Sequence, residues 1–184
     1  IKNGNAALSL TGTNNFTGGV TLNAGTLLIN SGAALGTGVL TAADATRLDT
    51  TAAASVGNNV ALLGALTVGG SNALDLTGTV SGTGSLIKEG AGALTLTGNN
   101  VYSGGTQLAA GSLVVGADAA LGTGALTTAD GTALSASTAV TLQNGIALGG
   151  ALSIDGQPLT LNGVVSGAGS LIKNGTNALT LNGC

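Results

Sequence analysis

Apolar and polar residues alternate along this chain in bursts of three to five residues. Leu94 and Leu96 fall on one side of such a burst, Thr95 and Thr97 on the other. Leu113 with Val115, Leu152 with Ile154, and Leu159 with Leu161 repeat the pattern. A period of two is the mark of a strand with one buried face. The bursts ALTL, TQLA, SLVV, ALTT, ALSA, ALSI, LTLN and SLIK are separated by GTG, GAG, NAG, AAG and NG. Glycine, and less readily asparagine, takes the backbone angles of tight corners. No window carries a helical stripe, because Gly and Thr interrupt every candidate. Hairpins call for longer strands joined by two-residue turns. Short strands separated by corners instead predict a solenoid. Major strands near Leu94, Leu113, Leu134 and Leu152 lie 19, 21 and 18 residues apart, one coil of a parallel β-helix per interval.

The chain is also a tandem array. Ile1-Lys2-Asn3-Gly4 returns as Ile87-Lys88-Glu89-Gly90 and again as Ile172-Lys173-Asn174-Gly175, shifts of 86 and 85 residues. AGTLLI at Ala24–Ile29 becomes AGSLVV at Ala110–Val115, and AALGTG at Ala33–Gly38 recurs unchanged at Ala119–Gly124. The sequence therefore reads as one unit over 1–184 with copies at 1–86, 87–171 and 172–184. A one-residue deletion beside Pro158 marks a surface turn. Each copy is expected to hold about four coils and the whole chain about nine, a rod about 40 Å long. Ile1 falls inside a repeat, so the chain reads as a piece of something longer with open β edges at both ends.

Composition narrows the partners. The 34 glycines would suit a disordered tract, but 43% of residues are hydrophobic and 6% charged, the reverse of a disordered chain. Collagen needs glycine at every third position. Four basic residues (Lys2, Arg47, Lys88, Lys173) against seven acidic ones leave a net charge of −3. That is too few phosphate neutralisers for nucleic acid, and no basic amphipathic stretch suits a membrane surface. No direct membrane insertion of this chain is expected. Aromatics make up 1%, as expected where Leu, Val and Ile fill a narrow interior and Thr and Asn ladder outside. Cys184 is the single cysteine and can close no internal disulfide.

Candidate chemistry is sparse. The acids are Asp44, Asp49, Asp75, Glu89, Asp118, Asp130 and Asp155. Only Asp44 and Asp130 are repeat equivalents, about four coils or 20 Å apart, too far for a glycosidase pair. We read them as turn caps. Asp44 and Asp49 are close enough to bracket one corner. There is no histidine, no calcium-roll nonapeptide and no nucleophile–base set, so no catalytic, metal or cofactor site is expected. The GxG pieces Gly82–Gly84 and Gly122–Gly124 read as corners. Lys2, Lys88 and Lys173 are equivalent. They read as corner lysines whose stems cover apolar surface, or as a sparse basic stripe for an acidic glycan. Phe16 and Tyr102 are equivalent and read as corner plugs, with the following Gly-Gly leaving room for the ring. Thr-x-Thr pieces at 11–13, 77–79 and 95–97 raise ligand binding on a flat face, of carbohydrate or ice, although they do not align in successive coils.

The stretch Leu86–Val115, LIKEGAGALTLTGNNVYSGGTQLAAGSLVV, resembles the autotransporter-associated β-strand repeat of type V secreted passengers. The matching elements are Leu-x-Lys-x-Gly-x-Gly-x-Leu-x-Leu, Asn-x-[Tyr/Phe]-[Ser/Thr]-Gly-Gly and Ala-Gly-[Thr/Ser]-Leu. The resemblance implies an all-β, right-handed parallel β-helix exported by a Gram-negative cell and displayed on its surface or released. It implies a non-catalytic stalk or adhesin scaffold, with partners among host or neighbouring-cell surfaces and glycans. The alternatives are an extracellular fibre subunit that self-associates end to end through its open edges, and a carbohydrate-binding β-helix.

Overall fold

A computed structural model of the chain describes residues 1–183. Cys184 lies outside the described residues. All strand pairs are parallel, and the chain winds as a three-sided solenoid. The second face is the most regular, a nine-stranded sheet running from Leu8–Leu10 to Val165–Gly167, so the chain makes about nine turns. The third face holds seven strands, from Ala54–Val56 to Ser170–Lys173. The first face is split into sheets of four and three strands. They are joined along the axis by non-strand coils, through Val101 N donating to Val80 O at 2.9 Å and Thr123 N donating to Tyr102 O at 3.0 Å.

Period-two alternation fixes which residues face the lumen. Leu86, Leu94, Leu96, Leu113, Leu134, Leu152 and Leu161 are all fully buried, while Thr97 is exposed. One lumenal column on the second face runs Leu8, Leu27, Leu48, Val68, Lys88, Leu108, Thr128 and Leu148, one residue per coil. Parallel strands buried on one side gain from stacking like on like, because each side chain packs against its counterpart in the next coil. Regular α-helix is absent among the described residues, and a single 3₁₀ turn spans Gly32–Leu35. The one-residue deletion falls in the exposed turn at Gln157-Pro158, between Ala151–Gly156 and Leu159–Leu161.

The repeat is not a whole number of coils. Four steps of register carry Leu8 to Lys88 on the second face. The residue equivalent to Leu8 is Leu94, one face further on, in Ala93–Leu96 of the third face. One copy therefore spans four and one-third coils, correcting the expected four. Every repeated feature moves one face round the rod per copy. Lys2 pairs with Leu22 on the first face, Lys88 lies on the second, and Lys173 lies on the third. The three lysines do not form a stripe.

Thr128 stands in the lumenal column of the second face, and its hydroxyl is buried without a hydrogen-bond partner among the described residues. The equivalent residue in the first copy is Ala42. Thr128→Val keeps the shape and removes the unpaired hydroxyl. It is expected to raise stability by about 1 kcal/mol, read as a higher midpoint in denaturant unfolding.

Candidate functional site

The acidic residues are dispersed over the rod. Asp44 Oδ1 accepts the Ala65 N–H at 2.8 Å, and Asp130 Oδ1 accepts the Ala151 N–H at 2.8 Å. Each carboxylate caps a backbone group of the following coil. Asp44 and Asp49 do not share a corner, because Asp49 is in the strand Thr46–Thr50 and faces Arg47. Arg47 Nε lies 3.3 Å from Asp49 Oδ2, and its Nη1 lies 2.9 Å from Glu89 Oε2. The guanidinium passes over Gly69, where a Cβ would sit 1.7 Å from Nη2. These groups are partly exposed, so the cluster contributes roughly 1 kcal/mol or less. Its counterparts in the second copy are Ala133, Ser135 and Asn174, so it is not a property of the repeat. Asp75 and Asp155 sit on one outer column of the third face, four coils apart, about 19 Å.

Lys88 is where the structure departs most from expectation. It is not at a bend. It ends the strand Leu86–Lys88 on the lumenal side, and 1% of it is exposed. Its Nζ donates to the carbonyls of Glu89 at 2.6 Å, Gly90 at 2.8 Å and Ala110 at 3.3 Å. Burial, and then the Arg47 charge, lower its pKa from the usual lysine value. Lys2 repeats the cradle with the carbonyls of Gly4 at 2.6 Å and Ala24 at 2.9 Å. Lys173 donates to Asn174 and Gly175. A buried ammonium cannot read an external glycan; it ties two adjacent coils together from inside through three backbone carbonyls.

Tyr102 is fully buried, whereas its equivalent Phe16 is 39% exposed. The Tyr102 hydroxyl pairs with Thr106 Oγ1 at 2.6 Å. The space for the ring comes from Gly122 in the next coil, not from Gly104-Gly105: a Cβ on Gly122 would sit 3.0 Å from Tyr102 Cδ1. Gly36 plays the same part against Phe16. Burial pushes the Tyr102 phenol up to about 12. Between pH 10 and 12 the unfolded chain loses a proton that the folded chain keeps. This stabilisation is complete below pH 10 and is lost as pH rises through 12, about 2–3 kcal/mol in all. Lys88 acts in the opposite sense, since its lowered value lets stability rise with pH below 10.5. The difference between wild type and Tyr102→Phe isolates the tyrosine. Tyr102 is the sole tyrosine, so phenolate absorbance reads it alone. Its titration is expected near 12, and Tyr102→Phe is expected to flatten the alkaline loss of stability.

One surface feature does follow the repeat. An open recess of about 320 Å³ is lined by Gly32, Gly36, Thr37, Gly57 and Asn58. Another of about 360 Å³ is lined by Asp118, Ala119, Gly122, Thr123, Gln143 and Asn144. Five positions correspond at a shift of 86 residues. Each recess forms because AALGTG crosses its face as a turn, not a strand. The Asn of the following coil then anchors it. Asn58 Nδ2 donates to Gly36 O at 3.1 Å and Gly38 O at 2.7 Å. Asn144 Nδ2 donates to Gly122 O at 3.1 Å and Gly124 O at 2.7 Å. The first recess has glycines where the second has Asp118 and Gln143. No recess was expected from the sequence; its only trace there is the unchanged AALGTG.

Flat ladders occur where the sequence pieces did not place them. Thr141, Thr160 and Thr180 align in three successive coils. An amide ladder runs beside them: Asn182 Nδ2 donates to Asn162 Oδ1 at 3.0 Å, and Asn162 Nδ2 to Gln143 Oε1 at 3.3 Å. Among the described residues there is no group of three metal-ligating side chains and no helix long and apolar enough to cross a membrane.

Two segments, residues 1–29 and 86–115, match the model of the passenger-associated-transport-repeat. They contain the lysine cradles, the Asn-x-[Phe/Tyr] turns and the Ala-Gly corners. The chain is 41% identical over 109 residues to the adhesin BmaC autotransporter of Brucella suis biovar 1 (strain 1330), an alignment that takes in 56% of this chain. The chain spans 3% of that protein's length. No solved structure matches it. This chain is a β-solenoid that carries two segments matching the passenger-associated-transport-repeat and is similar over 109 residues to an autotransporter adhesin; repeats of this kind are extracellular or surface-displayed.

Proposed function

We propose that the chain is a non-catalytic stalk that holds adhesive determinants away from a Gram-negative cell. The observation that carries this reading is the uninterrupted lumenal ladder. Of the eight coils of one column, six are filled by Leu or Val, one by Thr128 and one by Lys88, which backbone carbonyls tie in place. Such a column makes a rod whose length scales with copy number. The acids either cap backbone groups or pair with Arg47 or, like Asp75, stand apart on an outer column. Asp49 and Glu89 are brought together only on Arg47, which pairs with both, unlike the two free carboxyl groups flanking a bond that glycan cleavage needs. The match to an adhesin supports extracellular attachment as the setting.

Reach tests the reading. In a surface-displayed array carrying a distal tag, each added 86-residue copy should move the tag outward by about 21 Å, four and one-third coils at about 4.8 Å each. A tag distance that does not change with copy number, or turnover of any glycan by the purified chain, would overturn it.

A further inference from the structure

We propose that the recess at Asp118, Thr123 and Gln143 is a binding site for one residue of a neutral sugar. The inference goes beyond the stalk reading and does not depend on it.

The chemistry at the rim selects the ligand. Asp118 is exposed, and its Oδ1 is held by the Thr141 N–H at 2.7 Å, which fixes the carboxylate and leaves its second oxygen as an acceptor. The Gln143 Oε1 accepts from Asn162 Nδ2 at 3.3 Å. That bond orients the amide so that its N–H₂ remains available as a donor. Thr123 is exposed, and its hydroxyl can both donate and accept. An acceptor, a donor and a hydroxyl around one small concavity match adjacent ring hydroxyls, each of which also donates and accepts. Ala119 and Gly122 form an apolar floor, the surface that the C–H face of a sugar ring covers.

Other ligand classes fit less well. An anionic ligand would meet Asp118 with no cation in the recess. A divalent cation needs more oxygen ligands than one carboxylate and a hydroxyl offer. A volume near 360 Å³ is at the lower end for small-molecule sites, which limits the occupant to about one ring. With no aromatic side chain in the lining, a single site binds weakly. Because each copy turns the recess by one face, the bare recess of the first copy and the equipped recess of the second lie on different sides of the rod.

The first copy supplies an internal contrast. Gly32 cannot carry a side chain, since a Cβ there would sit 1.7 Å from Ser55 O. Gly57 can, because its Cβ would meet only Thr77 Oγ1 at 3.8 Å. The second recess is therefore equipped and the first is bare.

The test is saturation-transfer NMR on the 184-residue chain with methyl glycosides of mannose, galactose and N-acetylglucosamine at millimolar concentration. At least one glycoside should receive saturation. Gln143→Ala and Asp118→Ala should each weaken its binding by about tenfold or more, the worth of one hydrogen bond to a charged or well-oriented group. Asp118→Asn keeps an acceptor for Thr141 N–H and guards against misfolding, as does Gln143→Ala at an exposed position. Transfer to none of the three glycosides, or transfer that the Gln143 and Asp118 variants leave undiminished in folded protein, would overturn the proposal. Either result leaves the stalk reading intact, because that reading is measured by reach.

Discussion

Lys88→Ala should destabilise the rod by about 3–5 kcal/mol, more than any other single truncation of a charged residue in the chain. Two losses combine. The carbonyls of Glu89, Gly90 and Ala110 lose their common donor, and an unpaired buried acceptor costs its full desolvation. The stem also leaves a hole between Val68 and Leu108, its neighbours in the column. Lys88→Met separates the two, because the stem volume stays and only the donor goes; about 2–3 kcal/mol is expected. Lys173 has the same sequence surroundings but is exposed. Lys173→Ala should cost roughly 0.5 kcal/mol or less. Denaturant unfolding of the three variants checks this. Equal effects at Lys88 and Lys173 would mean that the cradle does not hold the coils together.

The second large effect is expected at Gly122. Its φ is 61°, and a Cβ would lie 2.2 Å from Tyr102 O, a backbone atom that cannot swing aside. Gly122→Ala therefore has two costs: the left-handed conformation, about 1 kcal/mol, and a forced separation of adjacent coils over the buried ring. A total of about 3 kcal/mol or more is expected. Gly131→Ala is the control. Its φ is 72°, but no atom lies within 4 Å of the added carbon, so only the conformational cost of about 1 kcal/mol remains. Thermal unfolding of both variants, compared with Tyr102 burial read from its alkaline titration, separates strain from contact. If Gly122→Ala costs no more than Gly131→Ala, then the coil spacing at the tyrosine is not set by that glycine.

Much of the fold could be read from particular residues. Leu94 and Leu96 with Thr95 and Thr97 between and after them gave both the strand and its buried side. The AALGTG and Ala-Gly matches gave the repeat. The parts that were missed share a physical cause, the pull of a general rule against local pattern. Leu86-x-Lys88 has the spacing that puts both residues on one side of a strand, and Leu86 is buried. Charge argues for exposure, and only the three converging carbonyls make burial tolerable. Those carbonyls come from Glu89-Gly90 and from Ala110, a full coil away, which no local reading joins. The room for Tyr102 likewise comes from Gly122, twenty residues on. The one-face advance was present in the arithmetic, since 86 residues is not a multiple of a coil of about 20. It became visible only when register placed Leu8 and Leu94 on different faces. The recess depends on two successive coils, and sequence carries it only as an unchanged turn whose partners Asn58 and Asn144 stand alone.

This advance makes the repeat a screw, and microscopy can measure a screw. Cryo-electron microscopy of a tandem array of these 86-residue copies should give a rod with a rise of about 21 Å and a rotation of one-third of a turn per copy. A rise near 19 Å with no rotation, the signature of a repeat of four whole coils, would contradict it.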